Sequence, residues 1–319
     1  MNISSQTIRH YQQSVPCNLC HADTYTIRYQ ASFRPDDSAE DVLQKFRSQG
    51  GDILLDQVVQ CNKCGLIYIN PRLRDDCILK DYTEATIHGY KEQFVSQNKG
   101  RSIACARSMR FINKLHPVRG KLLDVGAAAG TFMAIAQNHG WDVYGCEPNR
   151  WFCEWGKETY GLDIDQGTLL DQRYPYETFD VVTLWDVIEH VPDPTGIIKK
   201  CFSLLKPGGM LILTYPDIGS WIARLMGRRW VFLMSVHLYY FNRKTIARLL
   251  QPAGFSIIKS FPHVQTLQLS YIIYRMQVHS AILYRIGKAF SDALHLNNLL
   301  VPYWIGVNCI AAKKQLSEP

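Results

Sequence analysis

The 319-residue sequence lacks an apolar run long enough to span a bilayer. Its longest uncharged stretch, Ala293–Ala312, is interrupted by His295, Asn297, Asn298, Pro302, Gly306 and Asn308, too polar and broken for a membrane helix. The N-terminus, MNISSQTIRHYQQ, lacks the apolar core of a secretory signal. Together these absences lead us to expect a cytoplasmic, reducing setting, in which ten cysteines are not a disulfide framework. Low-complexity and Pro/Gly-rich tracts are also lacking. With 47% hydrophobic and 20% charged residues, the chain reads as globular, one large domain plus a small one. Acidic residues are scarce only at the C-terminal end. Residues 217–319 carry 12 basic and 3 acidic side chains, whereas residues 116–216 carry 8 and 13 and residues 1–75 carry 8 of each. The net charge of +7 thus belongs to one segment, which speaks against a uniformly basic nucleic-acid binder.

Four of the cysteines form two CxxC pairs, Cys17-Asn-Leu-Cys20 and Cys61-Asn-Lys-Cys64, the second followed by Gly65-Leu66. Two such knuckles supply four thiolates, the soft tetrahedral set that zinc prefers, and leave no open position for water, so a zinc ion here is structural. A redox role would need a single CxxC opening a helix after a strand. Between the pairs we expect a strand (Thr24–Phe33), a polar helix (Asp37–Arg47) and a return strand (Ile53–Gln60). Residues 1–75 thus form a zinc-ribbon-like module. Cys77, Cys105, Cys146, Cys153, Cys201 and Cys309 have no partner at ligand spacing and are expected to pack as apolar side chains.

After a helical connector (Gln93–Leu115), strands and helices alternate. Lys121–Val125 runs into Gly126-Ala-Ala128-Ala-Gly130-Thr131 and a helix (Phe132–His139). Asp142–Cys146 follows and ends at Glu147, and Phe179–Leu184 and Met210–Thr214 are further buried strands. A helix at Asp193–Leu205 stops at Lys206-Pro207-Gly208-Gly209. This is an α/β, doubly wound, Rossmann-like fold over residues 76–319. The small residues at 126, 128 and 130 let the backbone approach a ligand. Glu147, at the end of the next strand, can accept ribose hydroxyls. The spacing Gly-x-Ala-x-Gly places no third glycine for a pyrophosphate. Asp124 would repel a diphosphate but suits a cationic amino-acid group, which disfavours an NAD-dependent oxidoreductase.

LLDVGAAAGTF, YGCEP, FDVVTLWDVIEHVPDP, LLKPGGMLILTYPD and HLYYFNRKTIARLLQPAGF, in this order, resemble the class I S-adenosylmethionine-dependent methyltransferases. The resemblance covers about residues 55–260, and the nearest branch contains the ubiquinone-biosynthesis O-methyltransferases. Bacterial relatives with a CxxC…CxxC module are associated with sugar or glycan modification. The resemblance implies a seven-stranded sheet and S-adenosylmethionine as cofactor. It places Asp124, Gly126, Ala128 and Gly130 at the methionine end, Glu147 at the ribose, Gly167, Thr168 and Leu169 beside the adenine, and Trp185 and Asp186 beneath the cofactor. Ala128 departs from the middle glycine of many members.

Methyl transfer from a sulfonium needs alignment of acceptor, methyl and sulfur, and removal of a proton from the acceptor. On a helix, Asp186, Glu189 and His190 would share one face, making His190 a candidate base with a carboxylate to orient it. The alternative is a histidine that stabilises the helix end before Pro192. The resembling families use a glutamate-rich version of this motif, in some of them to help bind a divalent metal. His237, before Leu238-Tyr239-Tyr240-Phe241, is the second candidate, as base or positioning group, or else as a structural histidine bonded to its loop. Asn242 should cap the helix Arg243–Gln251.

Strand direction places two inserts, 216–236 and 261–300, at the carboxyl edge of the sheet as a cap. Phe255–Ser260 should run parallel to the other strands, and Ile305–Lys313 should return antiparallel. Arg224, Arg228 and Arg229 with Trp221 and Trp230 in the first insert, and Arg275, Arg285 and Lys288 among apolar residues in the second, suit an anionic acceptor or a peripheral membrane contact through residues 262–300 at the inner face. The expected function is methylation of a hydroxyl on a sugar, glycan or phosphate-linked small molecule, without nucleic acid as partner. The alternatives are C-methylation of a keto-sugar, O-methylation of a phenolic quinone precursor and, from a different class, a zinc-ribbon nucleic-acid-binding protein.

Overall fold

A computed structural model describes residues 6–42, 53–84, 90–276 and 280–315. In chain order the strands are β1 (Gln12–Gln13), β2 (Tyr25–Tyr29), β3 (Val58–Cys61), β4 (Ile67–Ile69), β5 (Arg72–Leu73), β6 (Lys121–Val125), β7 (Asp142–Glu147), β8 (Asp165–Gln166), β9 (Phe179–Leu184), β10 (Leu205–Pro216), β11 (Tyr239–Tyr240), β12 (Phe255–Pro262), β13 (Gln265–Gln268), β14 (Leu300–Tyr303) and β15 (Val307–Lys314). The α-helices are α1 (Asp75–Glu84), α2 (Tyr90–Leu115), α3 (Thr131–Asn138), α4 (Arg150–Tyr160), α5 (Pro194–Leu204), α6 (Trp221–Met226), α7 (Arg243–Leu250), α8 (Leu269–Met276) and α9 (Ala281–Ala293).

Seven strands form the central sheet in the order β12-β15-β10-β9-β6-β7-β8. Pairing is parallel from β10 to β8, and β15 lies antiparallel between β10 and β12. β12 therefore points the same way as the parallel strands, as its sequence position suggested. β6, β9 and β10 are continuous apolar runs because helices cover both faces of the sheet. Phe179, Val181, Val182, Leu184, Leu211, Ile212 and Leu213 are wholly buried. Local chemistry sets the helix starts. Asn149 accepts from the Trp151 and Phe152 amides, Asp193 caps α5 ahead of Pro194, and Asn242 forms a capping box with Thr245 at α7.

The N-terminal residues do not stand apart. β2, β3 and β4 continue into β11 as one four-stranded sheet, with Tyr239 opposite Tyr68 and Tyr240 opposite Ile67. Cys17, Val59, Leu66 and Tyr68 share a core with Ile197, Ile198, Tyr239 and Phe241. Asn18 accepts from the Thr195 amide (3.1 Å) and hydroxyl (2.6 Å) and donates to Asp193 (3.0 Å), docking the first knuckle on the start of α5. The expected strand Thr24–Phe33 appears as β2 and the return strand is confined to β3. The expected helix Asp37–Arg47 begins at residue 39, and residues 43–52 lie outside the described ones. Of the six other cysteines, Cys146, Cys201 and Cys309 are buried, and burial raises their thiol pKa values, that of Cys146 to about 12.

Candidate active site

The loop after β6 meets β7 through one carboxylate. Glu147, almost fully buried, accepts the Ala128 amide on one oxygen and the Asn149 amide on the other, both at 3.0 Å. Each carboxylate oxygen keeps a further lone pair, so two ribose hydroxyls can be accepted without breaking either bond. Burial raises the Glu147 pKa. Gly126 and Gly130 both have positive φ. A Cβ on Gly126 would lie 2.6 Å from Val187, and one on Gly130 would lie 2.8 Å from Leu162, so the loop admits no side chain at either position. Ala128 holds a φ of +45°, a left-handed backbone that a glycine would adopt without strain.

Asp124 is buried two residues before the loop's start and accepts the Thr183 hydroxyl at 2.6 Å. Burial pushes its pKa up to about 7, with the Glu147 charge adding to the rise and Thr183 opposing it. The side chain of Leu169 is buried in the core, so that residue can offer only backbone to an adenine, while the Thr168 amide and hydroxyl both bond Asp171 (2.8 and 2.6 Å). Trp185 packs edge-on against Phe132 and stacks on His263, and its indole N–H is buried without a partner among the described residues. That orphaned donor, the two free Glu147 lone pairs and the small-residue loop fit a nucleoside ligand along the carboxyl ends of β6, β7 and β9.

Residues 185–190 do not form the expected helix. They make a bend and a turn, with Asp186 at a φ of +54°. Asp186 is therefore bonded elsewhere than to His190. Its carboxylate accepts from Thr214 (2.7 Å) and from Gln265 (3.1 Å) of the second insert. Glu189, His190 and His237 converge instead, each offering an atom within 4.8 Å of the others. The Glu189 carbonyl accepts the amides of Leu238 (2.8 Å) and Tyr239 (3.2 Å), which seats His237 beside it.

The imidazole rings of His190 and His237 meet edge to face at 4.6 Å. His190 Nδ1 lies 3.0 Å from the Val236 carbonyl and His237 Nδ1 lies 2.8 Å from the Phe232 carbonyl. Carbonyls only accept, so they assign the proton to Nδ1 and leave Nε2 of both rings with a lone pair. Burial lowers both imidazole pKa values, and the proximity of His190 depresses His237 further. Burial, with the Asp186 charge, raises Glu189 well above the ordinary range, and neither of its oxygens has a hydrogen-bond partner among the described residues. Tyr82, at the end of α1, brings its hydroxyl to 2.9 Å from His190 Nδ1. Sequence reasoning missed this residue, which lies 108 positions from its partner with no motif to mark it.

The four knuckle cysteines converge as expected, Cys17 Sγ to Cys64 Sγ at 3.3 Å and Cys20 Sγ to Cys61 Sγ at 3.5 Å, all four within 4.8 Å. Four sulfurs that approach mainly one another are the donor set and spacing of a tetrahedral zinc site. The first insert departs from its expected placement. Its end supplies the Phe232 and Val236 carbonyls, but Trp230 is buried among Val58, Ile67, Ile69 and Tyr240. Arg224 lines a cavity of about 200 Å³ with Arg28, Tyr29 and Trp230, and the Arg228 guanidinium lies over the Tyr29 ring.

A family model described as a methyltransferase domain matches residues 98–260. The chain belongs to this methyltransferase family. It is 37% identical over 109 residues to the ubiquinone biosynthesis O-methyltransferase of Psychrobacter arcticus, covering 30% of this chain and 40% of that protein. It is 30% identical over 119 residues to the enzyme of the same name from a Bradyrhizobium strain, covering 36% and 47%. The chain thus matches less than half the length of either relative. A solved S-adenosylmethionine-dependent methyltransferase from Thermotoga maritima shares the fold, with a TM-score of 0.50 at 19% identity over 74% of this chain and all of that one. The edge described above therefore belongs to the sheet of a methyltransferase domain.

Proposed function

We propose that the protein transfers a methyl group from S-adenosylmethionine to a hydroxyl of an anionic acceptor, a sugar, glycan or phosphate-linked small molecule. The observation that carries the reading is the pair of converging imidazoles, His237 buried and His190 half-buried, each with Nδ1–H tied to a backbone carbonyl and Nε2 left basic. When bound, S-adenosylmethionine supplies an electrophilic methyl on a sulfonium. Asp124 would pair with its ammonium group, Gly126, Ala128 and Gly130 would pass beneath it, and Glu147 would hold the ribose. Trp185 and Asp186 would floor the site, with Thr168 and Leu169 beside the adenine. His190 or His237 would take the acceptor proton at Nε2 as the acceptor oxygen displaces the methyl group from sulfur. Glu189, with an atom within 4.8 Å of both rings, would orient the imidazolium that results. Cys17, Cys20, Cys61 and Cys64 would hold one structural zinc ion.

The excess of 12 basic over 3 acidic side chains in residues 217–319 is what supports an anionic acceptor, because guanidinium groups beside aromatic rings suit phosphate attached to a ring. A phenolic acceptor is the second reading, favoured by the ubiquinone biosynthesis relatives. The test pairs binding with turnover. Calorimetry with S-adenosylhomocysteine should show binding that Glu147→Ala weakens strongly and that His190→Ala and His237→Ala retain. Each histidine variant should lose about 10²–10⁴-fold in turnover on whichever member of a panel of nucleotide sugars, glycolipids and catechols gains a methyl mass. Full turnover in either histidine variant removes that residue from the mechanism.

A further inference from the structure

The second insert ends in a helix with a bare apolar stripe. On α9, Ile282, Ile286 and Phe290 recur at four-residue spacing and are 71%, 62% and 60% exposed, with Leu283 beside them also exposed. Residues four apart stack on one face of a helix. The inward side of α9 is already occupied, since Gly287 lies against Ile273 of α8 and Ser291 bonds Asn297. The stripe is therefore a separate face, and no described residue covers it. Side chains of this size at such exposure are not scattered surface leucines but a contiguous patch of the kind that marks a contact surface.

Charge decides between occupants. The segment 217–319 carries 12 basic and 3 acidic side chains. Of the acids, Asp217 is buried and Asp292 is paired with Lys288 at 2.8 Å. Arg285, on α9 itself, has no ion-pair partner among the described residues. A second copy of the chain would bring the same positive excess against this one. An anionic lipid surface offers the opposite charge together with an apolar layer that a helix lying in the interface can enter.

We propose that α9 docks the protein on anionic membrane surfaces, with Ile282, Ile286 and Phe290 inserted and Arg285 at the headgroups. The strand β13, whose Gln265 holds Asp186 at the edge of the candidate site, leads directly into this hairpin. Docking would thus set the site beside the bilayer. The proposal is independent of which acceptor is methylated.

The test is flotation of the full-length protein with vesicles of phosphatidylcholine alone or with one-third phosphatidylglycerol. Binding to the anionic vesicles is expected at low salt, reduced by 0.5 M salt and weak on neutral vesicles. The variant Ile282→Ser/Ile286→Ser/Phe290→Ser should bind at least tenfold less, with unchanged melting temperature and S-adenosylhomocysteine affinity, since these side chains are exposed. Arg285→Glu should lose binding to anionic vesicles only. Absence of flotation at low salt, or undiminished binding by the triple variant, overturns the proposal. So does a dimer in sedimentation that the triple variant dissolves, which would assign the stripe to a second copy.

Discussion

Asp124 shows what one residue's surroundings do to its chemistry. Its place before the glycine loop was legible in the sequence, but its protonation was not, because that depends on burial and on Glu147 and Thr183 from other strands. In the free protein the carboxyl holds its proton up to about pH 7, and pairing with an ammonium group requires that proton to leave. Ligand affinity should therefore rise with pH through this range, approaching tenfold per unit below pH 7, and flatten above it. Calorimetry of S-adenosylhomocysteine binding at pH 6, 7 and 7.5 checks the slope, and Asp124→Asn should abolish it. An unchanged slope in that variant would assign the proton elsewhere. The histidine pKa values are shifted the opposite way, although the pH dependence has the same sense. Burial depresses both pKa values, so turnover limited by a basic imidazole should persist below the usual histidine range and fall only at more acid pH.

Among the elements, the parallel strands were readable because a strand buried on both faces must be a continuous apolar run. β6 and β9 appear with the expected limits. Lys206-Pro-Gly-Gly read as a stop, yet the chain there is already extended, with an irregular register between Leu205 and Met210. The 185–190 segment was misread for a different reason. Its charged residues match helical spacing, but the turn places Glu189 beside His237, 48 residues along the chain, and sends Asp186 to Thr214 and Gln265. No local pattern encodes a pairing of that separation. The two-residue strand β11 was equally invisible, although it joins the cysteine knuckles to the histidine site: β4 pairs with Tyr239 and Tyr240, and His237 precedes them by two residues. Elemental analysis should find about one zinc per chain. Stripping it with a chelator should lower the melting temperature and reduce turnover, while S-adenosylhomocysteine affinity, which rests on β6 and β7, holds within a few-fold. Metal-free protein with the same melting temperature would mean that the knuckles stand without the ion.

At the level of the whole molecule, sequence composition suggests two units, residues 1–75 and 76–319, and the packing joins them. One core runs from Cys17, Val59 and Tyr68 to Ile197 and Tyr239, and a second gathers Val58, Ile67 and Ile69 around Trp230, Leu233 and Tyr240. Buried Arg72 adds polar ties, donating to the Pro192 carbonyl (3.2 Å) and the Tyr239 hydroxyl (3.0 Å). Each large apolar side chain removed from such a core forfeits about 1.5–3 kcal/mol, and at least five on the N-terminal side face the remainder of the chain. The loss, about 7.5–15 kcal/mol for five such side chains, is comparable with the roughly 5–15 kcal/mol by which domains are stable. A chain restricted to residues 76–319 should therefore aggregate, or melt without a cooperative transition, even though it retains the whole seven-stranded sheet and the glycine loop. Expression of that segment beside the full chain, followed by calorimetric melting, checks this. A soluble fragment that unfolds cooperatively near the full-length melting temperature, with S-adenosylhomocysteine affinity intact, would show that the N-terminal residues are an appended module and that the shared sheet contributes little to holding His237 in place.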